Sequence, residues 1–240
     1  MLARKIAGMA LKNTMERKDI LLRKIANTIV ANLNNIPSDG LFYGKTGVSM
    51  FLFAYSRQTG IKQYGMFAGR LLDDVLMSDK SGMTSGVAEG YAGIGVGLVW
   101  LLRHGFIEIE DGNVLKVFDD LLLENIDESR RLDKLYGQNV FSAGIYWEWR
   151  NPLCEEGNTA KWEKKINDAK AGTKDCTIRD VARENVAENL WWNFVEQKGN
   201  DYSIEELEET VARLMYDFIY EIDTISGQMA IIGLKLIGNI

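Results

Sequence analysis

Proline, cysteine and histidine are scarce in this chain. Among its 240 residues, two are proline, two are cysteine and one is histidine. So few prolines leave long segments free to form helices, because proline removes a backbone donor and breaks a helix interior. The two cysteines form no C-x-x-C pair and give no reason to infer a disulfide framework. Strongly alternating strand patterns are also missing. The sequence therefore predicts an all-α protein.

Long uncharged apolar runs and an excess of positive charge are lacking as well. The apolar stretch at 91–102 is stopped by Arg103, short of the roughly 18 to 20 residues that span a bilayer. Charges at Lys12, Arg17 and Lys18 interrupt the N-terminus before it reaches signal-peptide length. A formal net charge of −6 argues against general affinity for nucleic acid. These absences predict a cytoplasmic protein with no membrane or nucleic-acid partner.

Glycine-started apolar helices are the most informative feature that is present. Residues 40–60, GLFYGKTGVSMFLFAYSRQTG, and residues 86–109, GVAEGYAGIGVGLVWLLRHGFIEI, share one pattern. A Gly-x-x-Gly step precedes about four mostly apolar turns, and a further glycine suits the position after the helix end. The steps consist of Gly44 and Gly47 in the first segment and Gly90 and Gly93 in the second. We assign these glycines to close packing and tight entry turns, with anion binding as the alternative.

The glycine-started unit recurs along the chain. Weaker copies occur at 135–149 and 225–240, so the interval is roughly fifty residues with one longer gap. Amphipathic segments at 64–77 and 113–128 alternate with these inner helices. Such alternation is typical of antiparallel helical hairpins that pack side by side around a common centre. One helical domain over 1–240 is predicted.

The remaining segments are assigned by capping and polarity. Asp19 is predicted to cap a helix over 19–34, and Ser203 with Glu206 forms a capping box that opens a helix over 203–223. Another helix is predicted at 177–197. Residues 151–174 are polar and contain Pro152, so they are interpreted as a long connection.

The segments GLFYGKTGVSMFLF and GYAGIGVGLVWLLRHGFIE resemble the inner helices of lanthionine synthetase C-like (LanC-like) proteins, which include the cyclases of ribosomal peptide maturation. The resemblance implies an α/α toroid of helical hairpins, here partial or reduced because the sequence lacks several of the hairpins of a full ring. It also implies what the cyclases do. They bind zinc through two cysteines and a histidine, and the zinc activates a peptide thiol for addition to a dehydrated serine or threonine.

The sequence departs from the family where the chemistry resides. No cysteine is directly followed by histidine, and there is no Trp-Cys-x-Gly motif. The only histidine, His104, stands at the end of an inner helix, where its charge suits the negative helix terminus. We therefore predict no catalytic residues and no cofactor. A zinc site formed by His104, Cys154 and Cys176 is the alternative.

Three residues are candidate ligand contacts. Lys45 directly follows Gly44 at the predicted start of a helix, where a lysine side chain is placed to contact a bound anion. Trp147 and Trp149 are candidates for contact with a peptide, and core packing is the alternative for both. The acidic residues of 119–128 alternate with leucines, which indicates a solvated outer helix face.

Three functions are compatible with these features. The first is a non-catalytic LanC-like protein that binds a peptide substrate, a leader peptide or a partner maturation enzyme, as in lantibiotic biosynthesis. The second is a zinc-dependent thioether cyclase or another α/α-toroid enzyme. The third is a general helical interaction scaffold. An incomplete ring would leave an apolar edge, which predicts a homo-oligomer or docking on a partner.

Overall fold

A computed structural model describes residues 2–108, 113–132, 136–154, 156–171, 186–199, 202–217 and 222–238. Regular structure in these ranges is helical, which confirms the all-α prediction. The α-helices are α1 (Leu2–Ala31), α2 (Lys45–Thr59), α3 (Lys62–Met77), α4 (Tyr91–Arg103), α5 (Asn113–Leu132), α6 (Tyr136–Arg150), α7 (Glu156–Ala171), α8 (Val186–Val195), α9 (Ile204–Asp217) and α10 (Ile222–Ile237). None of these described helices has both the length and the hydropathy needed to cross a bilayer.

Glycines delimit the inner helices as the sequence predicts. Gly44 and Gly90 are the extended N-cap residues of α2 and α4. Gly60 follows α2 with a φ of 74°, and Gly105 follows the end of α4 with a φ of 63°. These left-handed conformations favour glycine, because a side chain there would be strained.

The first helix is much longer than predicted. Helix α1 runs through Asp19 without a break, so the prediction that Asp19 caps a new helix is wrong. Good helix formers occupy the preceding turns, and Lys12 approaches Glu16 one turn later at 3.8 Å. Arg17 also pairs with Glu205 and Glu208 of α9, which holds this part of α1 against another helix.

The polar segment after α6 contains a helix. The prediction of a long connection over 151–174 is wrong for α7, which occupies most of it. Trp162, Ile166 and Ala169 recur at helical spacing and are buried. Trp162 stacks on Trp147 of α6, with ring centroids 5.0 Å apart and the planes within 3° of parallel. One narrow apolar stripe therefore docks an otherwise polar helix.

The even-numbered helices form the inner layer of a ring. Helix α2 packs on α4, and α4 packs on α6. Trp149 of α6 donates from Nε1 to the carbonyl of Val195 in α8 at 3.0 Å. Trp191 of α8 donates in the same way to Gly227 of α10 at 3.2 Å. Finally α10 packs along α2, so the ring closes within one chain.

The odd-numbered helices cover this ring from outside. Helix α3 packs on α2, α5 on α4 and α6, α7 on α6, and α9 on α8 and α10. Helix α1 contacts α10 and α9, next to the seam where the ring closes. The hairpin prediction is therefore confirmed. The expectation that an incomplete ring leaves an open edge is wrong, because α10 packs on α2 and α1 covers the place where the ring closes.

Close packing of the inner helices depends on their glycines. A Cβ at Gly95 would overlap the ring of Tyr146 in α6, and one at Gly97 would overlap Thr46 in α2. Gly93 lies against the carbonyl of Val87 in the preceding loop. Because these positions carry no side chain, large residues of neighbouring helices reach the backbone of α4.

Candidate binding site at the ring mouth

The inner helices begin at one end of the ring. The backbone amide of Phe42 donates to the carbonyl of Ala88 at 2.9 Å, which joins the loops that precede α2 and α4. The Ser85 hydroxyl donates to Asn139, which joins the second loop to the first turns of α6. Gly227, near the start of α10, lies against the backbone of Phe42.

The two glycine loops repeat the same hydrogen bonds 46 positions apart. The amide of Lys45 donates to the carbonyl of Ser38 at 2.9 Å, and the amide of Tyr91 donates to the carbonyl of Thr84 at 3.0 Å. These amides are the first of their helices, where an anion would otherwise bind. Since the loops already satisfy them, the glycine steps serve packing.

Aromatic and acidic side chains that are partly buried or exposed gather at this end of the ring. We call five of them the ring mouth: Tyr43, Glu89, Phe141, Glu188 and Trp192. They come from the two glycine loops and from the first two turns of α6 and α8. Two carboxylates thus accompany three aromatic rings where the helices begin.

The aromatic rings of the mouth continue into the core. Trp192 meets Phe42 edge to face at 5.1 Å and lies 6.4 Å from Phe141, measured between ring centroids. Phe42 is buried and stacks on Trp191 at 5.5 Å with an interplanar angle of 9°. Because the buried rings fix Trp192 from below, its partly exposed face is a rigid surface.

Tyr43 and Glu188 form the polar contact of the mouth. The Tyr43 hydroxyl donates to Oε1 of Glu188 at 2.7 Å. Burial raises the pKa of Tyr43 well above its ordinary value, and the hydrogen bond to Glu188 and the charges of Glu188 and Glu89 raise it further. Tyr43 therefore keeps its proton near neutral pH and acts as a hydrogen-bond donor.

The structure places Lys45 away from this mouth. Its Nζ lies 3.6 Å from Oδ1 of Asp39 and 3.9 Å from Oδ2 of Asp74, so carboxylates of the chain already balance its charge. Lys45 lines an outer groove of about 690 Å³ between α1, α2 and α3. The ion pairs with Asp39 and Asp74 oppose the anion contact considered for it.

Trp147 and Trp149 belong to the core. Each is only 7% exposed. Trp147 is covered by Trp162, and Trp149 donates to the carbonyl of Val195. Of the four tryptophans in α6 and α8, Trp192 is the one that reaches the surface. Core packing therefore accounts for the two that the sequence offered as peptide contacts.

Two of the three residues considered for zinc, His104 and Cys154, lie at the opposite end of the ring. His104 caps the C-terminus of α4, with its Nδ1 2.8 Å from the carbonyl oxygen of Trp100. Cys154 follows the C-terminus of α6. Cys176 lies outside the described residues. Among the residues that are described, no three His, Cys, Asp or Glu side chains are grouped to hold a metal ion.

One acidic residue expected on a solvated face is enclosed. The Asp119 side chain is 13% exposed, accepts a hydrogen bond from the Tyr146 hydroxyl at 2.6 Å and pairs with Arg150 at 3.3 Å. Burial raises the pKa of Asp119, and the hydrogen bond from Tyr146 and the charge of Arg150 oppose that rise. The solvated-face prediction is wrong at this position, because Asp119 faces α6.

Sequence reasoning missed the ring mouth, although a signal for part of it exists. Tyr43 and Glu89 each immediately precede the N-cap glycine of an inner helix, so they are equivalent positions of the repeat. Glu188 is 145 residues from Tyr43 along the chain, and nothing local links the two. Comparison of the chain with protein-family models, curated proteins and solved structures finds no match.

Proposed function

We propose that this chain is a LanC-like binding protein that holds a peptide segment at its ring mouth during ribosomal peptide maturation, without catalysing the cyclisation. The observation that carries the proposal is the joining of Tyr43, Phe141 and Trp192 with two glutamates where the inner helices begin. The resemblance of the glycine-started segments to the LanC-like family supports the choice of pathway.

The composition of the mouth favours a peptide that carries cationic side chains. Aromatic rings offer large contact area at a low cost in side-chain entropy, and they also attract cations to their faces. Glu89 and Glu188 add negative charge beside them. A lysine or arginine of a bound peptide would therefore find both attractions in one place.

A binding role fits the residues better than catalysis. The family's adjacent cysteine and histidine are lacking in the sequence. His104 lies at the opposite end of the ring and contacts Trp100. Tyr43 is held in its protonated form by burial and by Glu188. Because the Tyr43 hydroxyl already donates to Glu188, the mouth offers a ligand two carboxylate acceptors and apolar area, which suit recognition.

The proposal is tested by titrating the protein with a defined peptide. The probe is an acetylated, amidated dodecapeptide of three Lys-Ser-Thr-Leu repeats, and the comparison peptide has glutamate in place of lysine. We expect saturable binding of the lysine peptide by calorimetry. Trp192→Leu and Glu188→Gln should each weaken it at least tenfold, since each removes one part of the mouth.

The matched control is Glu163→Gln, which removes an exposed carboxylate from α7, away from the mouth. It should leave the affinity unchanged. Failure of both peptides to bind the folded protein would overturn the peptide-binding function. About one zinc per purified chain, lost in a Cys154→Ala, Cys176→Ala double variant, would instead support the cyclase.

A further inference from the structure

Helix α3 presents an apolar stripe on the outside of the ring. Met66 is 59% exposed, Leu76 is 40% exposed and Met77 is 85% exposed. Met66 and Met77 lie about three helical turns apart on one face of α3, and Leu76 flanks that face. Three large apolar side chains on one outer helix form a surface suited to contact with another molecule.

Two opposite charges lie between these apolar residues. Arg70 and Asp73 are exposed on the same face of α3. Neither makes a hydrogen bond or an ion pair with any residue that the structure describes. The charged groups are therefore available to a partner, and a contact that removes water from them must supply a group of the opposite sign to each.

The face of α3 is complementary to itself in the antiparallel direction. A two-fold axis between Leu71 and Leu72 pairs Met66 with Met77 and Arg70 with Asp73. In such an arrangement every contact occurs twice, because each copy contributes the same surface. Both the apolar and the charged positions then meet suitable partners.

We propose that the protein forms a two-fold dimer through antiparallel packing of α3 against α3 of a second copy. The inference is independent of the proposed peptide function. Gly69 lies at the edge of this face, and a Cβ there would meet no atom within 4 Å in the single chain. Its missing side chain leaves room for the two helices to approach each other.

Charge complementarity selects a second copy as the occupant of this face. An unrelated apolar partner would leave Arg70 and Asp73 desolvated without counter-charges, which is unfavourable. A second α3 supplies both counter-charges at once. The two Arg70–Asp73 pairs fix the antiparallel direction, since parallel packing would not bring these opposite charges together.

The test exchanges the two charges. Sedimentation equilibrium between about 1 and 200 µM is expected to show dimers of the wild-type chain. Arg70→Glu should raise the dissociation constant at least tenfold, because the introduced carboxylate would face Asp73 of the second copy twice. Asp73→Arg should do the same by opposing two arginines.

Mixing the two single variants gives the most specific outcome. In the mixed dimer, both cross-helix pairs again join opposite charges, so we expect association to return. The double variant Arg70→Glu, Asp73→Arg should also dimerise by itself. A loss of folding cannot produce recovery on mixing, and circular dichroism will verify that each variant is helical.

The matched control is Val117→Asp, which alters an exposed apolar side chain of α5, another outer helix. It should leave dimerisation unchanged. A wild-type chain that stays monomeric at the highest concentration would overturn the proposal. Dimers that ignore the single charge changes, or single variants that stay monomeric when mixed, would also overturn it.

Discussion

Glycines inside the helices of this chain have two different structural roles, which depend on the atoms that surround the α-carbon. Gly95 faces the ring of Tyr146, which is fully buried and is held by its hydrogen bond to Asp119. Gly69 faces open space within a single chain. The residue type alone does not distinguish these cases, because both glycines occur in the interior of a helix.

Alanine substitution should separate the two glycines. We expect Gly95→Ala to lower the free energy of unfolding by about 1 to 3 kcal/mol, through overpacking against Tyr146. Gly69→Ala should raise it by about 1 kcal/mol, because alanine favours the helix. Urea unfolding of dilute protein measures both. Equal effects of the two substitutions would contradict the assigned packing.

The enclosed Asp119 predicts an unusual dependence of stability on pH. Its pKa in the folded chain is raised above the ordinary value of 3.8, chiefly by burial. The folded chain therefore binds the proton more tightly than the unfolded chain does. The contribution of this tighter proton binding to the free energy of unfolding is complete below pH 3.8. It is lost as the pH rises through the raised pKa of Asp119.

Replacement of Asp119 by asparagine removes this titration. From pH 4 to pH 7, we expect the wild-type chain to lose stability relative to the Asp119→Asn variant. Urea unfolding at several pH values measures the difference. The opposite slope would mean that Arg150 outweighs burial and that the carboxyl pKa is lowered.

At the scale of the element, the capping box of α9 was predictable. The Glu206 amide donates to the Ser203 hydroxyl at 3.2 Å, and the Ser203 amide donates to the Glu206 carboxylate at 2.8 Å. We expect Ser203→Ala to cost about 1 kcal/mol of stability, while Ser203→Asp keeps an acceptor at the cap and costs little. Thermal unfolding compares the two. Equal losses would indicate that the cap acceptor contributes nothing.

Helix α7 is a stronger test of the fold, because the polar sequence of this segment predicted a connection and the structure contains a docked helix. Trp162→Ala should lower the free energy of unfolding by about 3 to 5 kcal/mol, since it removes the ring that packs on Trp147. Lys161→Ala, at the exposed position beside it, is the control and should change little. If Trp162→Ala were equally mild, α7 would not be docked.

Local sequence patterns predicted the helices correctly where a single residue determines the end of a helix. Gly44 and Gly90 start helices because an extended, side-chain-free residue is needed there, and the sequence shows this directly. Helix α7 was missed because only Trp162, Ile166 and Ala169 carry its apolar stripe, and polar neighbours hide so narrow a signal. The prediction that Asp19 caps a helix failed because the preceding turns are already helical, so no helix begins at Asp19.

The ring mouth depends on the whole molecule, and local patterns could not assemble it. Tyr43 meets Glu188 only because α8 is brought beside α2 when the ring closes. The repeat places Tyr43 and Glu89 at equivalent positions, which was visible. Phe141 and Trp192 come together only through the packing of α6 on α8.

Ring closure predicts cooperative unfolding of the entire chain. The six tryptophans lie on α4, α6, α7 and α8, whereas far-UV circular dichroism reports every helix. Because α10 joins α8 to α2, we expect the two signals to change together in urea. A fluorescence transition at lower urea than the dichroism transition would show that this part of the ring unfolds separately.

The glycines of α4 also set its rotation about its own axis. Gly95 faces Tyr146 and Gly97 faces Thr46, so two neighbouring helices occupy the space around the same short stretch. A one-residue shift would turn the helix by about 100° and bring Ile94 or Val96 against those side chains. Helix α4 therefore has one permitted angular setting. Since the loop before α4 carries Glu89, that setting also orients the mouth before any ligand arrives, and binding there should require little rearrangement of the backbone.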